Sequence, residues 1–192
     1  MSPELGVAIL WALWVASWIA AAVWRDPAAR RATFAQEAPY RIATIFGAFL
    51  LFLGSGPLFP NQYRLWTLGW DGQWVLVILA VLGLVFTWWA RLYLGRLWSS
   101  SVTKKADHRI VDTGPYAIVR HPIYTGILAA IFATAAMKGA LLSFIGALVM
   151  TVGFLTKARL EERFLREQLG VEAYEAYRRS VPMLIPFGPK SG

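Results

Sequence analysis

Apolar and polar residues fall in long blocks along this chain. Five apolar blocks stand out: Leu5–Trp24, Ile42–Phe59, Trp74–Leu94, Ile123–Met137 and Ala140–Thr156. The first runs 20 residues without a charge. At about 1.5 Å per residue, such a helix matches a hydrocarbon core about 30 Å thick. The last two blocks have only 15 and 17 residues and are parted by Lys138-Gly139. They predict a tight helical hairpin that need not cross the bilayer fully. The polar blocks are Arg25–Arg41, punctuated by Pro27 and Pro39, then Pro60–Gln73, Gly95–Pro122 and Lys157–Gly192. The last is charged and amphipathic, and it closes on a Pro-broken apolar patch, Val181–Phe187. The pattern predicts an all-α integral membrane protein of about five transmembrane helices, with an amphipathic C-terminal tail. It forms one membrane domain over 1–192. Leu5–Trp24 lacks a basic leading region and is long for a signal peptide, so it is read as a retained helix. Trp11, Trp14 and Trp18 form an i, i+3, i+7 stripe on it, which predicts a packing and lipid-contact face.

Composition supports this class: 57% of residues are hydrophobic and ten are Trp. Cysteine is absent, which excludes disulfides, thiolate nucleophiles and Cys-based metal sites. The formal charge of +8 would suit nucleic acid, but its placement argues for lipid. With the N-terminus outside and five spans, the inside segments 25–41, 91–120 and 157–190 carry four, six and seven Lys/Arg, against Arg64 and Lys138 outside. That positive-inside bias places the C-terminus in the cytoplasm and excludes a nucleic-acid partner in favour of membrane lipids. No P-loop, G-x-G-x-x-G or G-x-S-x-G is present.

The candidate chemistry lies where rigid polar punctuation interrupts this apolar chain, at Gly114-Pro115-Tyr116 and Arg120-His121-Pro122-Ile123-Tyr124-Thr125-Gly126. Gly114-Pro115 predicts a turn. Pro122 turns His121 away from helical geometry and suits the first turn of the following helix. Arg120 and His121 then stand at a helix N-terminus, a seat for an anion, where Arg120 adds a bidentate carboxylate partner. Gly126 permits close approach of a ligand or a neighbouring helix. The plainer reading is an interfacial anchor, with arginine snorkelling and tyrosine at the headgroups. Glu161 and Glu162 follow the fifth block, and the hairpin returns them to the same face. Adjacent carboxylates on a helix point about 100° apart, so one faces a ligand and the other pairs outward. Arg91 ends the third block, where it snorkels or meets an anionic substrate group. His108 is read as a solvated loop residue, with no metal ligand set around it.

Leu94-Gly95-Arg96-Leu97-Trp98-Ser99, the GPY turn, Arg120-His121-Pro122-x-Tyr124-x-Gly126, Glu161-Glu162 and the Tyr174, Tyr177, Val181-Pro182, Ile185-Pro186 tail together resemble the isoprenylcysteine carboxyl methyltransferase family. The family is similar to phospholipid N-methyltransferases. The resemblance covers about residues 85–187. It implies a methyltransferase that uses S-adenosylmethionine at the cytoplasmic face of a bacterial or archaeal inner membrane. The cofactor would sit between segments 95–122 and 157–192, and a lipophilic substrate would enter from the bilayer. On the resemblance, Arg120, His121, Pro122, Tyr124 and Gly126 build the cofactor seat, and His121 with the helix N-terminus holds the methionyl group. Glu161 or Glu162 accepts from its amino group or ribose. Tyr116 and the Ile185-Pro186-Phe187 patch flank the adenine. The acceptor is then a carboxylate oriented by Arg91. Were it an amine, a glutamate such as Glu162 would serve as base. Three other readings keep the helices: methylation of a phospholipid or another small lipophile, a non-enzymatic scaffold, and a reductase using a nicotinamide cofactor.

Overall fold

The computed structural model describes residues 1–23, 30–54, 63–95, 98, 103–104 and 110–190. His108, Arg96, Leu97, Ser99 and the Arg25–Pro27 punctuation lie outside the described residues. Among the described residues the chain is helical, apart from a minimal antiparallel ribbon. That ribbon pairs β1 (Arg30–Arg31) with β2 (Thr103–Lys104).

Helix α1 (Pro3–Ala21) begins on Ser2, whose hydroxyl accepts from the Leu5 N–H, with Pro3 in the first turn. Helix α2 (Phe34–Leu53) starts eight residues before the apolar block at Ile42. A capping box between Thr33 and Gln36 starts it, and Arg41 pairs with Glu37 one turn back. The charged end of the expected Arg25–Arg41 connection is therefore helix, and Pro39 lies inside it. Helix α3 (Trp70–Leu94) closes on Gly95 at φ 57°. A single turn, α4 (Pro115–Ile118), carries the GPY motif, and α5 (Pro122–Lys138) begins on Pro122. Gly139, left-handed at φ 60°, ends α5 and turns the chain into α6 (Leu141–Leu169). The 29 residues of α6 make it about 43 Å long. It outruns a hydrocarbon core of about 30 Å, so the turns carrying Glu161 and Glu162 extend past its apolar part. Helix α7 (Val171–Ser180) follows Gly170.

Among the described residues three helices, α1, α3 and α6, are long and apolar enough to cross a membrane, and α5 is a shorter apolar helix of 17 residues. Helix α5 is apolar all round because it runs through the interior, with Ile123, Ile127, Ala130, Ile131 and Ala135 buried. Close backbone approach sets two helix crossings. Gly47 of α2 meets Gly146 of α6, where a Cβ on Gly47 would stand 2.7 Å from the Gly146 carbonyl. Gly83 of α3 meets Gly126 of α5 in the same way, at 2.7 Å from the Gly126 carbonyl.

Helix α1 is fixed by its tryptophans. Trp11 donates to Thr134 of α5 at 3.0 Å and Trp14 to Thr87 of α3 at 2.9 Å. Trp88 donates back to Ser17 at 3.2 Å. The predicted stripe thus faces inward and spends its N–H groups on buried hydroxyls, as apolar surroundings demand. At the opposite end, the Leu65 N–H reaches the Gly139 carbonyl at 2.7 Å, and Lys138 holds the Phe52 carbonyl at 3.2 Å.

Candidate active site

Local backbone chemistry brings the polar motifs together. Gly114 turns the chain at φ 57°, α4 makes one turn, and Val119 is extended. His121 stands as the N-cap of α5 at φ −124°, ψ 63°, the non-helical geometry imposed by the following proline. Tyr124, one turn into α5, lies under the His121 ring. The two rings stack 5.5 Å apart at 8°.

Past its apolar stretch, α6 presents the glutamates to this pair, and their adjacent positions split their environments. Glu162 is 94% buried and fully engaged. One of its oxygens lies 2.7 Å from Arg120 Nε and 3.2 Å from His121 Nε2, and the other lies 3.3 Å from Arg178 Nε. Glu161 accepts from the Tyr124 hydroxyl at 2.6 Å and sits 3.6 Å from His121 Nδ1. Its side chain keeps 23% exposure against 8% for Glu162. Lys157, one turn earlier, stands between the Tyr124 and Tyr40 rings at 5.4 and 5.6 Å. Burial opposes charge on His121, but the Glu161 and Glu162 carboxylates at its two nitrogens outweigh burial and raise its pKa. Both ring nitrogens then act as donors.

The C-terminal tail closes over the mouth of α5 as a strap. The Arg120 N–H donates to the Pro182 carbonyl at 2.9 Å and the His121 N–H to the Met183 carbonyl at 3.1 Å. The Thr125 hydroxyl reaches the Leu184 carbonyl at 2.6 Å. The Tyr177 hydroxyl donates to the Tyr116 carbonyl at 2.8 Å. Arg120 Nη1 bonds the carbonyls of Arg178 and Val181.

The sequence-predicted residues divide accordingly. Tyr116, Arg120, His121, Pro122, Tyr124, Glu161 and Glu162 converge. Arg91, Gly126, Ile185 and Pro186 do not join them as anticipated, and Arg120 joins them in another role than the open anion partner expected. Gly126 faces the backbone of α3, where its missing side chain allows a close helix contact. Arg120 points into the protein toward Glu162 and the strap, so it is no open anion partner. Ile185 and Phe187 are 69% and 99% exposed, and Pro186 is exposed between them. They line no interior wall. Arg91 is fully buried. Its Nη2 donates to the Ala21 carbonyl at 2.8 Å, its Nη1 to the Gly95 carbonyl at 3.1 Å, and its guanidinium lies 3.9 Å from the Trp98 ring centre. It ties the ends of α1 and α3 together. Sequence reasoning assigned no site role to Arg178, nor to Thr125 and Tyr177, although those two stand within the motifs singled out. Arg178 read as one more cation on an amphipathic tail, and backbone carbonyl acceptors leave no side-chain signature to find.

Comparison with known proteins matches residues 75–167 to the Isoprenylcysteine carboxyl methyltransferase (ICMT) family. A probable protein-S-isoprenylcysteine O-methyltransferase of Oryza sativa subsp. indica is 30% identical over 151 residues, covering 77% of this chain and 76% of the relative. The cobalt-zinc-cadmium resistance protein CzcN of Cupriavidus metallidurans is 31% identical over 61% of this chain and 53% of its own length. Methanethiol S-methyltransferase 2 of Bradyrhizobium diazoefficiens is 46% identical over 37% of this chain and 26% of its own. The chain thus spans about half, or less, of these last two relatives. The match to the rice relative runs through most of both proteins, and with the family match over the segment bearing the RHP motif and both glutamates it shows that this chain belongs to the isoprenylcysteine carboxyl methyltransferase family.

Proposed function

We propose that the chain is an S-adenosylmethionine-dependent methyltransferase embedded in the cytoplasmic membrane, acting on a lipophilic carboxylate that enters from the bilayer. The observation that carries this is the division of labour between the glutamates. Glu162 is consumed by Arg120, His121 and Arg178, whereas Glu161 keeps a partly open carboxylate beside a stacked His121–Tyr124 pair.

That donor set fits the cofactor. The ligand is a cation at sulfur with an α-amino group and ribose hydroxyls, all of which a carboxylate recognises. Glu161 would hold the amino group or a ribose hydroxyl, and Tyr124 and His121 would hold Glu161 in place. Pro122 supplies the backbone turn that sets His121, and Tyr116 supplies apolar wall. S-adenosylmethionine when bound supplies an electrophilic methyl group. An ionised carboxylate is already a nucleophile, so the protein has only to align it, exclude water and neutralise no proton. The five-span arrangement, with the N-terminus outside and the α5 mouth at the cytoplasmic face, rests on the 17 inside cations against two outside. Arg91 acts here as a positioning residue for α1.

A thiol acceptor is the second reading, favoured by the name of the Bradyrhizobium relative. A thiolate likewise needs no base once ionised. Calorimetric titration of S-adenosylmethionine into the detergent-solubilised chain, beside His121→Ala and Glu161→Gln, tests the reading. Saturable binding by wild type, lost in His121→Ala and weakened roughly ten- to a hundredfold in Glu161→Gln, is the expected result. No binding by folded wild-type protein in detergent or in nanodiscs would sink the methyltransferase assignment. Incubation with labelled methyl donor and lipophilic carboxylate or thiol acceptors then decides the acceptor class.

A further inference from the structure

The strap does not end at the site. Past Leu184 the chain makes a tight turn, closed by the Gly188 N–H on the Ile185 carbonyl at 2.9 Å, with Pro186 and Phe187 at its corners. Proline at the first corner and positive φ at the second define a type II turn, whose second corner favours glycine. Here the second corner is Phe187, at φ 61°. A bulky residue in the left-handed region is an outlier that asks for a reason. The turn turns its apolar groups outward: Phe187 is 99% exposed and Ile185 is 69% exposed.

The depth of this turn is fixed by the hydrogen bonds of the strap. Pro182 and Met183 are bonded to the N–H groups of Arg120 and His121, and Leu184 to Thr125. All three belong to the mouth of α5, an apolar helix that starts at the membrane face. The turn follows within three residues of Leu184, so it is held at that level. Exposed Arg179 and Lys190 flank it in sequence. Apolar tips bracketed by cations at bilayer level match the headgroup–acyl boundary of an anionic leaflet.

We propose that the Ile185–Phe187 turn is a membrane hook, seating both side chains in the headgroup–acyl boundary on the side of the α5 N-terminus, with Arg179 and Lys190 among anionic headgroups. The inference rests on the membrane-embedded reading. It gives the exposed patch an occupant, bilayer lipid, and makes the strap sensitive to the leaflet beneath it.

The absence of cysteine makes the test clean. Single variants Phe187→Cys, Leu82→Cys and Glu172→Cys are spin-labelled in vesicles of phosphatidylcholine and phosphatidylglycerol. Collision with oxygen, which concentrates in lipid, is compared with collision with a water-soluble nickel chelate. Leu82 is 58% exposed midway along α3 and reports lipid depth, and exposed Glu172 of α7 reports water. The hook requires an oxygen-to-nickel ratio at 187 several-fold above that at 172 and below that at 82. A ratio at 187 equal to that at 172 overturns it, as does a label shielded from both reagents, which would mean packing against protein. A water-like ratio at 82 would instead show that the membrane reading itself has failed.

Discussion

Arg120 Nε donates to Glu162 at 2.7 Å while its Nη1 bonds the carbonyls of Arg178 and Val181, so one buried side chain joins α6 to the C-terminal strap. Both partners are nearly sealed, with side chains 1% and 8% exposed. Removing one member of a buried pair leaves the other charge uncompensated, which costs about 3–5 kcal/mol. Arg120→Met is therefore expected to lower stability by that order and to release the strap. Arg120→Lys should rescue little, because a point charge cannot serve a carboxylate and two carbonyls in a fixed fork. Chemical unfolding followed by tryptophan fluorescence, with limited proteolysis near Val181, reads both effects. A double variant with Glu162→Met should lose less than the sum of the singles. Strict additivity would mean that the pair is not coupled.

The two glutamates should separate in experiment. Glu162→Gln removes a charge that faces Arg120, His121 and Arg178, so it should lower the unfolding midpoint markedly. Glu161→Gln keeps the Tyr124 contact and should unfold near wild type. It should weaken S-adenosylmethionine binding roughly ten- to a hundredfold, the loss of one charge-assisted hydrogen bond worth about 1.5–3 kcal/mol. Equal destabilisation by both substitutions would contradict the assignment of Glu161 as the open carboxylate.

His121 gives the site a pH signature. Its folded pKa is raised by Glu161 and Glu162 against the opposing effect of burial. The native state thus holds a proton that the unfolded chain releases near about 6.5. The stabilisation is complete below that value and disappears as pH climbs through the raised folded pKa. The unfolding midpoint should fall between pH 6.5 and the alkaline side in wild type, and His121→Gln should flatten that slope. A wild-type curve that rises over the same interval would reverse the sign and remove the imidazolium from the site.

Much of this was legible in the sequence, and the failures have physical causes. Long uncharged blocks announce membrane helices because hydrocarbon admits few alternatives. Gly114-Pro115 and His121-Pro122 announce backbone turns because proline and glycine fix dihedral angles. The start of α2 was obscured by Glu37, Pro39 and Arg41, although Thr33-x-x-Gln36 carries the signature of a capping box. The inward aim of Arg120 was hidden because its partners on the strap are backbone carbonyls some 60 residues away. The positive φ of Phe187 was hidden because the second corner of a type II turn is where a sequence rule expects glycine.

Gly126 belongs to the fold in this arrangement. A Cβ there would meet the Gly83 carbonyl and stand 2.7 Å from Thr87 Cγ2, both on α3. Gly126→Ala should separate α3 from α5 and cost about 1–3 kcal/mol by overpacking. If Gly126→Ala keeps wild-type stability and loses only cofactor affinity, the glycine faces ligand after all.

Arg91 tests whether a buried cation at a span end serves substrate or scaffold. Its guanidinium lies on the Trp98 ring and donates to Ala21 and Gly95, joining the C-terminal ends of α1 and α3. Lysine carries one compact charge on a flexible stem, so it cannot stack on Trp98 and reach both carbonyls at once. Arg91→Lys is therefore expected to lower the unfolding midpoint and change the emission of Trp98 and of Trp18, whose ring meets it edge-on, while cofactor affinity stays near wild type. The KM for the acceptor should move no more than in other variants of equal stability, such as Gly126→Ala. The opposite pattern, intact stability with a raised acceptor KM, would return Arg91 to the substrate, because a guanidinium that orients a carboxylate is missed by the ligand and not by α1.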